Sequence, residues 1–487
     1  MGIIAKIFKR AQPSKSQRSY AGAKINRLTS DWTMQSGHIN DTLRHDLATL
    51  RGRSRDLSLN NPYVGRYFNL LKTNIIGGTG ITLQGMSVNP DGKLDTNANE
   101  KLEQGWKEWG SQYASLDGRS NFLDIERQVI EGVARDGEVF IRSHRIVGDN
   151  PFAFTLELID PSRIDETLNE EKLKNGNSIH LGIEFDNLGR PIAYYLKTRT
   201  AHENSTYLRG TSYTRIPAEE ILHIGKQERP GQVRFAPWIA SVMGALKQLD
   251  GYQEGELIAA RIAASKMGFF TSPEGEQYGE EDAAGSLVTE AEPGMFEQLP
   301  EGWDFKSFDP QHPAGNYAPF VKSTLRTIAA GLNVTYASLA GDLESVNFSS
   351  IRQGALEERD RWRADQKWLI DRLHRPIYRA WLQSALLTQA VALPAEKYSK
   401  FTRIEFRPRG FGWVDPLKDM KAAAEGIAMG VQTRSEVCAR AGVDFEDVVE
   451  QLAREQELLD KYGIKLGADE SPTEQPATKE EVADAAD

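Results

Sequence analysis

Three stretches in the middle of the chain restrict its fold more than any other feature. Residues 235 to 270 run almost without a helix breaker after Pro237, and Trp238, Val242, Leu246, Leu249, Leu257 and Ile262 recur at helical spacing. Residues 271 to 310 change character, becoming acidic and punctuated by Gly and Pro, with short apolar pieces such as SLV and GMFEQL. Helix returns with NYAPFVKSTLRTIAAGL, breaks across residues 336 to 347, and resumes from 348 to about 387. The pattern predicts long paired helices around a small acidic insert.

The last of these helices has two readable faces. At about 100° per residue, Ile351, Ala355, Trp362, Leu369 and Leu373 fall in one stripe, and Arg352, Arg359 and Arg363 in a second beside it. Asn347 or Ser345 is a candidate N-cap. Pro376 removes a backbone donor in mid-helix and predicts a kink.

The first half of the chain reads as α+β. A helix after residue 30 meets a polar break, RGRSRDLSLNNPY, then a helix restarting at Asn61-Pro62 and stopping at Gly77. Gly77, Gly78 and Gly80 read as a helix stop or hairpin, since no GKS, GKT or GxGxxG follows. A second helical region, with Trp106 and Trp109, closes on Asp136-Gly137 and an alternating strand, EVFIRSHR. FTLELIDPSRI, LGIEFDNLGRPIAYYL with its Asn187-Leu188-Gly189 turn, and ILHIGK read as further strands, ending near Gln232. After Pro394 a strand-like FTRIEFRPRG leads to WVDPLKDMKAAAEGIAMG and a final pair of helices, TRSEVCARAG and DFEDVVEQLAREQELLDKYG, which mimic a helix-turn-helix, but the second is too acidic to read DNA.

Charge is segregated. The chain has 487 residues and a net charge of -10, yet residues 1 to 28 carry seven bases and no acid, and 274 to 301 carry nine acids and no base. The tail from Gly467 has a disordered composition. Phosphate affinity comes from Lys and Arg, so the acidic balance argues against general nucleic-acid binding. No run approaches the 18 or so apolar residues of a membrane span. One cysteine, Cys438, excludes an internal disulfide and fits a reducing compartment; its helix predicts a buried packing role. The eight histidines show no HExxH or zinc spacing, and no GxSxG or Walker A sequence is present, so no cofactor, metal or catalytic residue is indicated.

Several quoted stretches carry a family likeness. RGRSRDLSLNNPYVGRYFNLLKTNIIGGTGITLQ, VARDGEVFIR, GIEFDNLGRPIAYYL, IPAEEILHIGKQERPGQVRFAPWIASVM and NFSSIRQGALEERDRWRADQKWLIDRLHRPIYRAWL together resemble, in order, bacteriophage portal proteins of the lambda-type family. The resemblance implies a ring, expected to be a homododecamer, at one vertex of the capsid. Double-stranded DNA would pass through it during packaging and ejection. It would nucleate assembly with major capsid protein and scaffold, dock the terminase large subunit, and later receive head-completion or adaptor proteins. It implies no enzymatic activity, and places the protein in the virion, after assembly in the host cytoplasm. The rival readings are another head-tail connector or minor capsid protein, and a nucleic-acid-processing enzyme.

The implied portal fold is α+β: a basic flexible arm, 1–24; a wing, 25–235; a stem helix, 236–270; a clip, 271–310; a second stem helix, 311–335; a tunnel loop, 336–347; a long kinked helix, 348–387; the remaining wing and crown, 388–466; and the acidic tail, 467–487. In the tunnel loop, Gly341 with Ala337, Ser338 and Ala340 would permit movement, and Asp342 and Glu344 would prevent gripping of phosphate; Tyr336, Leu339, Leu343 and Ser345 complete it. Without the resemblance this segment reads equally well as a plain helix-loop-helix corner. Lys322, Arg326 and Arg352 are candidate phosphate contacts, or partners for acids on neighbouring subunits. In the clip, Glu280, Glu281, Asp282, Glu290, Glu292, Met295 and Phe296 are candidates for terminase contact.

Overall fold

The computed structural model describes residues 37–198, 212–264, 268–271, 304–307, 317–344, 348–412 and 416–463. It is a mixture of helices and small antiparallel sheets. The arm, most of the acidic insert and the acidic tail lie outside the described residues.

Helix α1 (Ile39–Asn60) runs straight through the expected polar break, which is thereby corrected. The arginines that suggested a solvated break are partnered from far along the chain. Arg51 is buried, 3.0 Å from Glu138, and Arg55 lies 2.6 Å from Asp136 and 2.9 Å from Asp160. The turn survives only at Asn61, whose side chain accepts from the Tyr63 and Val64 N–H groups and caps α2 (Pro62–Leu71). A π-turn (Lys72–Ile76) follows, and Gly77, at φ 82°, stops the helix before strand β1 (Thr82–Gly85).

α3 (Thr96–Gln112) and α4 (Phe122–Asp136) pack their apolar faces into the main core. Asn121 and Asp124 form a reciprocal capping box at the start of α4. Gly137, at φ 90°, turns the chain into β2 (Glu138–His144). β2 does not alternate between buried and exposed residues as expected; 138 to 141 are all buried. The reason is that β2 is the middle strand of the sheet β3 (Thr155–Ile159)–β2–β8 (Ile221–Gly225) and separates two cores. Val139 and Ile141 join the main core, and Phe140 joins a smaller one with Ile159, Tyr194 and Ile216. That smaller core lies under a four-stranded meander, β4 (Ser178–His180), β5 (Ile183–Phe185), β6 (Pro191–Lys197) and β7 (Tyr213–Pro217).

α5 (Met243–Ala264) begins after a 3-10 turn and ends short of residue 270, a second correction. The chain leaves it as β9 (Gly268–Thr271), paired antiparallel with β10 (Asp304–Ser307), so the ladder satisfies the backbone where the insert departs and returns. Among the described side chains, those of the first half of α5 pack: Val242, just before it, Leu246 and Leu249 are buried, whereas Leu257 is 54% exposed. α6 (Tyr317–Gly331) lies against α5, with Tyr252 stacked on Tyr317 and tilted against Phe320.

α7 (Tyr336–Ala340) precedes α8 (Phe348–Leu369), a π-turn (Ile370–His374) and α9 (Arg375–Leu387). Trp362, Leu369 and Leu373 of the expected apolar stripe are buried. The π-turn stands immediately before Pro376, which occupies the first turn of α9, where a missing N–H costs no intrahelical bond. The candidate caps Ser345 and Asn347 lie outside the described residues. α10 (Tyr398–Phe401) leads to β11 (Ile404–Arg407), which returns to pair with β1, Leu83 opposite Phe406. α11 (Pro416–Ala428), α12 (Arg434–Ala441) and α13 (Phe445–Tyr462) follow. Cys438 is only half-buried, because α12 contributes no buried residue; the expected buried packing role is corrected.

Candidate functional site

The segment between α6 and α8 is held more firmly than a free loop. Thr335 caps α7: its hydroxyl accepts from the Ser338 N–H at 3.1 Å. Glu358 of α8 accepts from the Ser338 hydroxyl at 2.7 Å and from the Thr335 N–H at 3.4 Å. Arg66 of α2 donates to the Ser338 carbonyl at 3.2 Å, and Arg361 to the Leu332 carbonyl at 2.8 Å. Leu339 is buried. Residues Tyr336, Ala337, Ser338, Leu339 and Ala340 are therefore a packed helical turn, which corrects the expectation that they form part of a loop. Small residues read as freedom in the sequence; here they let one turn fit between α2 and α8.

Past α7 the chain changes. Gly341 adopts the left-handed conformation, φ 69°, with no atom near the position a Cβ would take. Leu343 is 66% exposed and Glu344 is exposed. Asp342 binds the segment back on itself: it accepts from the Tyr336 hydroxyl at 2.8 Å and the Glu344 N–H at 2.9 Å, and lies 3.3 Å from Lys322 Nζ. The Tyr336 hydroxyl, the Glu344 N–H and Lys322 hold the Asp342 carboxyl below its usual range, while burial and the bond to Asp342 raise the Tyr336 phenol.

Lys322 and Arg326 sit one helical turn apart on α6, and both face the Tyr336 ring at 5.6 Å. Arg352 is not part of this group. It lies 3.6 Å from Asp419 of α11, so the structure brings together two of the three candidate phosphate contacts and not the third. Ser345 of the tunnel segment, and Glu280, Glu281, Asp282, Glu290, Glu292, Met295 and Phe296 of the insert, lie outside the described residues.

Reading the sequence missed Arg66, Thr335 and Glu358, the residues that position the segment. Thr335 was accessible as an N-cap in front of a short helical turn; Arg66 and Glu358 carry no local signal. The cluster offers two cations, a phenol and a carboxylate, a set suited to weak contacts with anionic oxygens. Among the described residues, no group of His, Cys, Asp and Glu is arranged to hold a metal ion.

Comparison with known proteins identifies the family. The model of the family described as phage portal protein, lambda family, matches residues 26–366, which include α6, the capped turn and most of α8. A probable portal protein of Halomonas phage phiHAP-1 is 34% identical over 467 residues, 93% of this chain and 90% of its own. Portal protein B of Escherichia phage lambda is 24% identical over 507 residues, 92% of each chain. Among solved structures, a chain from the neck of a native GTA particle computed with C12 symmetry is 14% identical, with a TM-score of 0.43, over 82% of this chain and 94% of that one. The chain belongs to the lambda family of phage portal proteins.

Proposed function

We propose that copies of this chain close into a ring, a dodecamer, around one DNA duplex at a single capsid vertex, and that DNA enters and leaves the capsid through it. The observation that carries this reading is the run α6, capped turn, α8, nearly all of which lies within the family match and which presents a mid-chain reversal able to face an axis. In that ring the wing comprises residues 25–235, α5 and α6 form the stem, and the insert 271–310 forms the clip that meets the terminase large subunit. Residues 341–344 line the channel beyond the packed turn. The helix 348–387 returns through the wing, and 388–466 complete wing and crown. Major capsid protein, scaffold and head-completion proteins meet the outer surface, first in the host cytoplasm and then in the virion. Negative-stain electron microscopy of the purified chain tests the ring: class averages with near twelve-fold symmetry and a central hole are expected. A dimer that persists at high concentration would sink the conduit reading.

In this arrangement Lys322 and Arg326 make sequence-independent phosphate contacts. The double variant Lys322→Ser, Arg326→Ser is expected to form rings normally. Its duplex binding should depend less on salt, the slope falling by about 0.9 for each phosphate that is no longer neutralised. Titration of a labelled duplex into preformed rings at several salt concentrations measures this. Loss of the ring itself would instead assign the two cations to the subunit interface.

A further inference from the structure

Between α8 and the C-terminal helices, two adjoining hollows of about 440 and 360 Å³ share Arg363, Phe411 and Arg440. Three guanidinium groups stand over the Phe411 ring: Arg409 at 5.1 Å, Arg359 at 5.6 Å and Arg363 at 5.8 Å from its centre. The backbone that carries them is fixed by close approach. A Cβ on Gly410 would lie 2.2 Å from the Ala441 carbonyl carbon, so residues 409–411 sit directly against the end of α12, which carries Arg440.

The hollows are lined by three carboxylates, Asp371, Glu405 and Asp419, which the arginines and lysines of the lining outnumber. Asp360 pairs with Arg363 at 2.8 Å, Asp419 lies 3.6 Å from Arg352, and Asp371 serves Arg375 and Lys367. Arg409 donates to the Thr73 carbonyl and Arg440 to Gln432. Among the described residues, Arg359, Arg409 and Arg440 have no carboxylate within ion-pair distance. Burial, then the charges of Arg363 and Arg409, pull the Arg359 guanidinium below its usual range, against a smaller opposing pull from Asp419.

We propose that these hollows are an acceptor for an acidic peptide, and that their occupant is the chain's own segment 467–487. Charge complementarity supports the assignment: that segment carries Asp469, Glu470, Glu474, Glu480, Glu481, Asp484 and Asp487 against a single base, Lys479. Reach also supports it. α13 starts beside the hollows, where Arg407 donates to the Val443 carbonyl and lies 3.5 Å from Asp444. Its 18 residues carry the chain about 27 Å away. From Gly463 an extended chain covers that distance again by about Ser471, at roughly 3.3 Å per residue. The tether keeps the local concentration of the acids at about the millimolar level, so modest contacts suffice. A duplex is a poorer fit. Phe411 is buried and Arg359 and Arg409 are half-buried, so these two cations are reached by single side chains rather than by a rod, whereas Arg363 and Arg440 are exposed.

The test uses the full chain with Pro476→p-benzoylphenylalanine, irradiated and mapped by mass spectrometry. Cross-links are expected on Phe411, Ala422, Val437 and their neighbours. Their yield should fall by about fivefold or more in Arg359→Gln, Arg363→Gln, as charge-steered contacts do when the charge is removed. The same fall is expected in a chain with Glu470→Gln, Glu474→Gln, Glu480→Gln and Glu481→Gln, which leaves the folded body untouched. Cross-links scattered over the surface, or unchanged by neutralising the tail, would overturn the proposal. So would a short DNA duplex that shields Arg409 and Arg440 from phenylglyoxal while the tail fails to cross-link there, an outcome that gives the hollows to phosphate.

Discussion

Arg234→Met is expected to destabilise the folded chain by about 3–5 kcal/mol, the range for removing one partner from a buried ion pair. Arg234 is wholly buried and binds Glu138 through Nη2 at 2.6 Å and Nε at 2.7 Å. It also donates to the carbonyls of Ile164, Leu181 and Pro161, so one side chain joins the first sheet to the loops beneath the meander. Glu138 is equally buried and takes Arg51 on one oxygen and His223 on the other. Burial by itself would raise the Glu138 carboxyl, but Arg234, His223 and Arg51 hold it at about 2. His223 is itself pushed down by burial, against the pull of Glu138. Because the folded value lies below the ordinary 4.5, the carboxylate stabilises the fold above that pH. The contribution, about 3 kcal/mol, is lost as pH falls from about 4.5 towards 2. Urea denaturation at pH 7 and across that window measures both effects. A loss under about 1 kcal/mol for the variant would show that the network is dispensable.

Trp109→Ala should cost as much, about 3–5 kcal/mol, through the cavity it leaves. The indole is fully buried among Trp106, Phe122, Phe154 and Trp381, with ring centres 4.8 to 6.4 Å away. Its Nε1 also donates to the Phe154 carbonyl at 2.8 Å, a bond the variant removes while the Asn150 amide still donates to that carbonyl at 3.0 Å. Trp109→Phe separates the two contributions, since it keeps most of the volume and loses the bond; about 1–2 kcal/mol is expected. Equal losses for the two variants, read from denaturant midpoints, would assign the effect to the hydrogen bond and contradict the packing account.

What could be read from the sequence was local, and what could not was set by distant partners. Asp136-Gly137, Asn61-Pro62 and Asn187-Leu188-Gly189 declare their turns through their own backbone preferences, and each is found. Of the break expected at 51–63, residues 51–60 are helix because the carboxylates that receive Arg51 and Arg55 come from residues 136, 138 and 160. α5 stops early because the strand that pairs with its exit returns only at residue 304. At the candidate site the residues were identifiable as a group, but their roles were not. That Lys322 meets Asp342 while Arg352 meets Asp419 depends on how helices far apart in sequence are placed. The inward face of β2 was hidden for the same reason, since Glu138 looks like a surface residue until Arg51 and Arg234 converge on it.

The β1–β11 ladder has a consequence for how the protein is made. Thr82 and Arg407, which face one another in it, are joined by a bond spanning 325 positions. At about 5–20 residues per second, β1 leaves the ribosome roughly 15 to 65 s before its partner exists. Throughout that interval the growing chain carries an unpaired strand edge, and until residue 381 is made its aromatic core lacks Tyr378 and Trp381. A nascent chain that stalls before residue 404 is therefore an aggregation-prone species, and chaperones acting on this protein during synthesis would find their substrate in that interval.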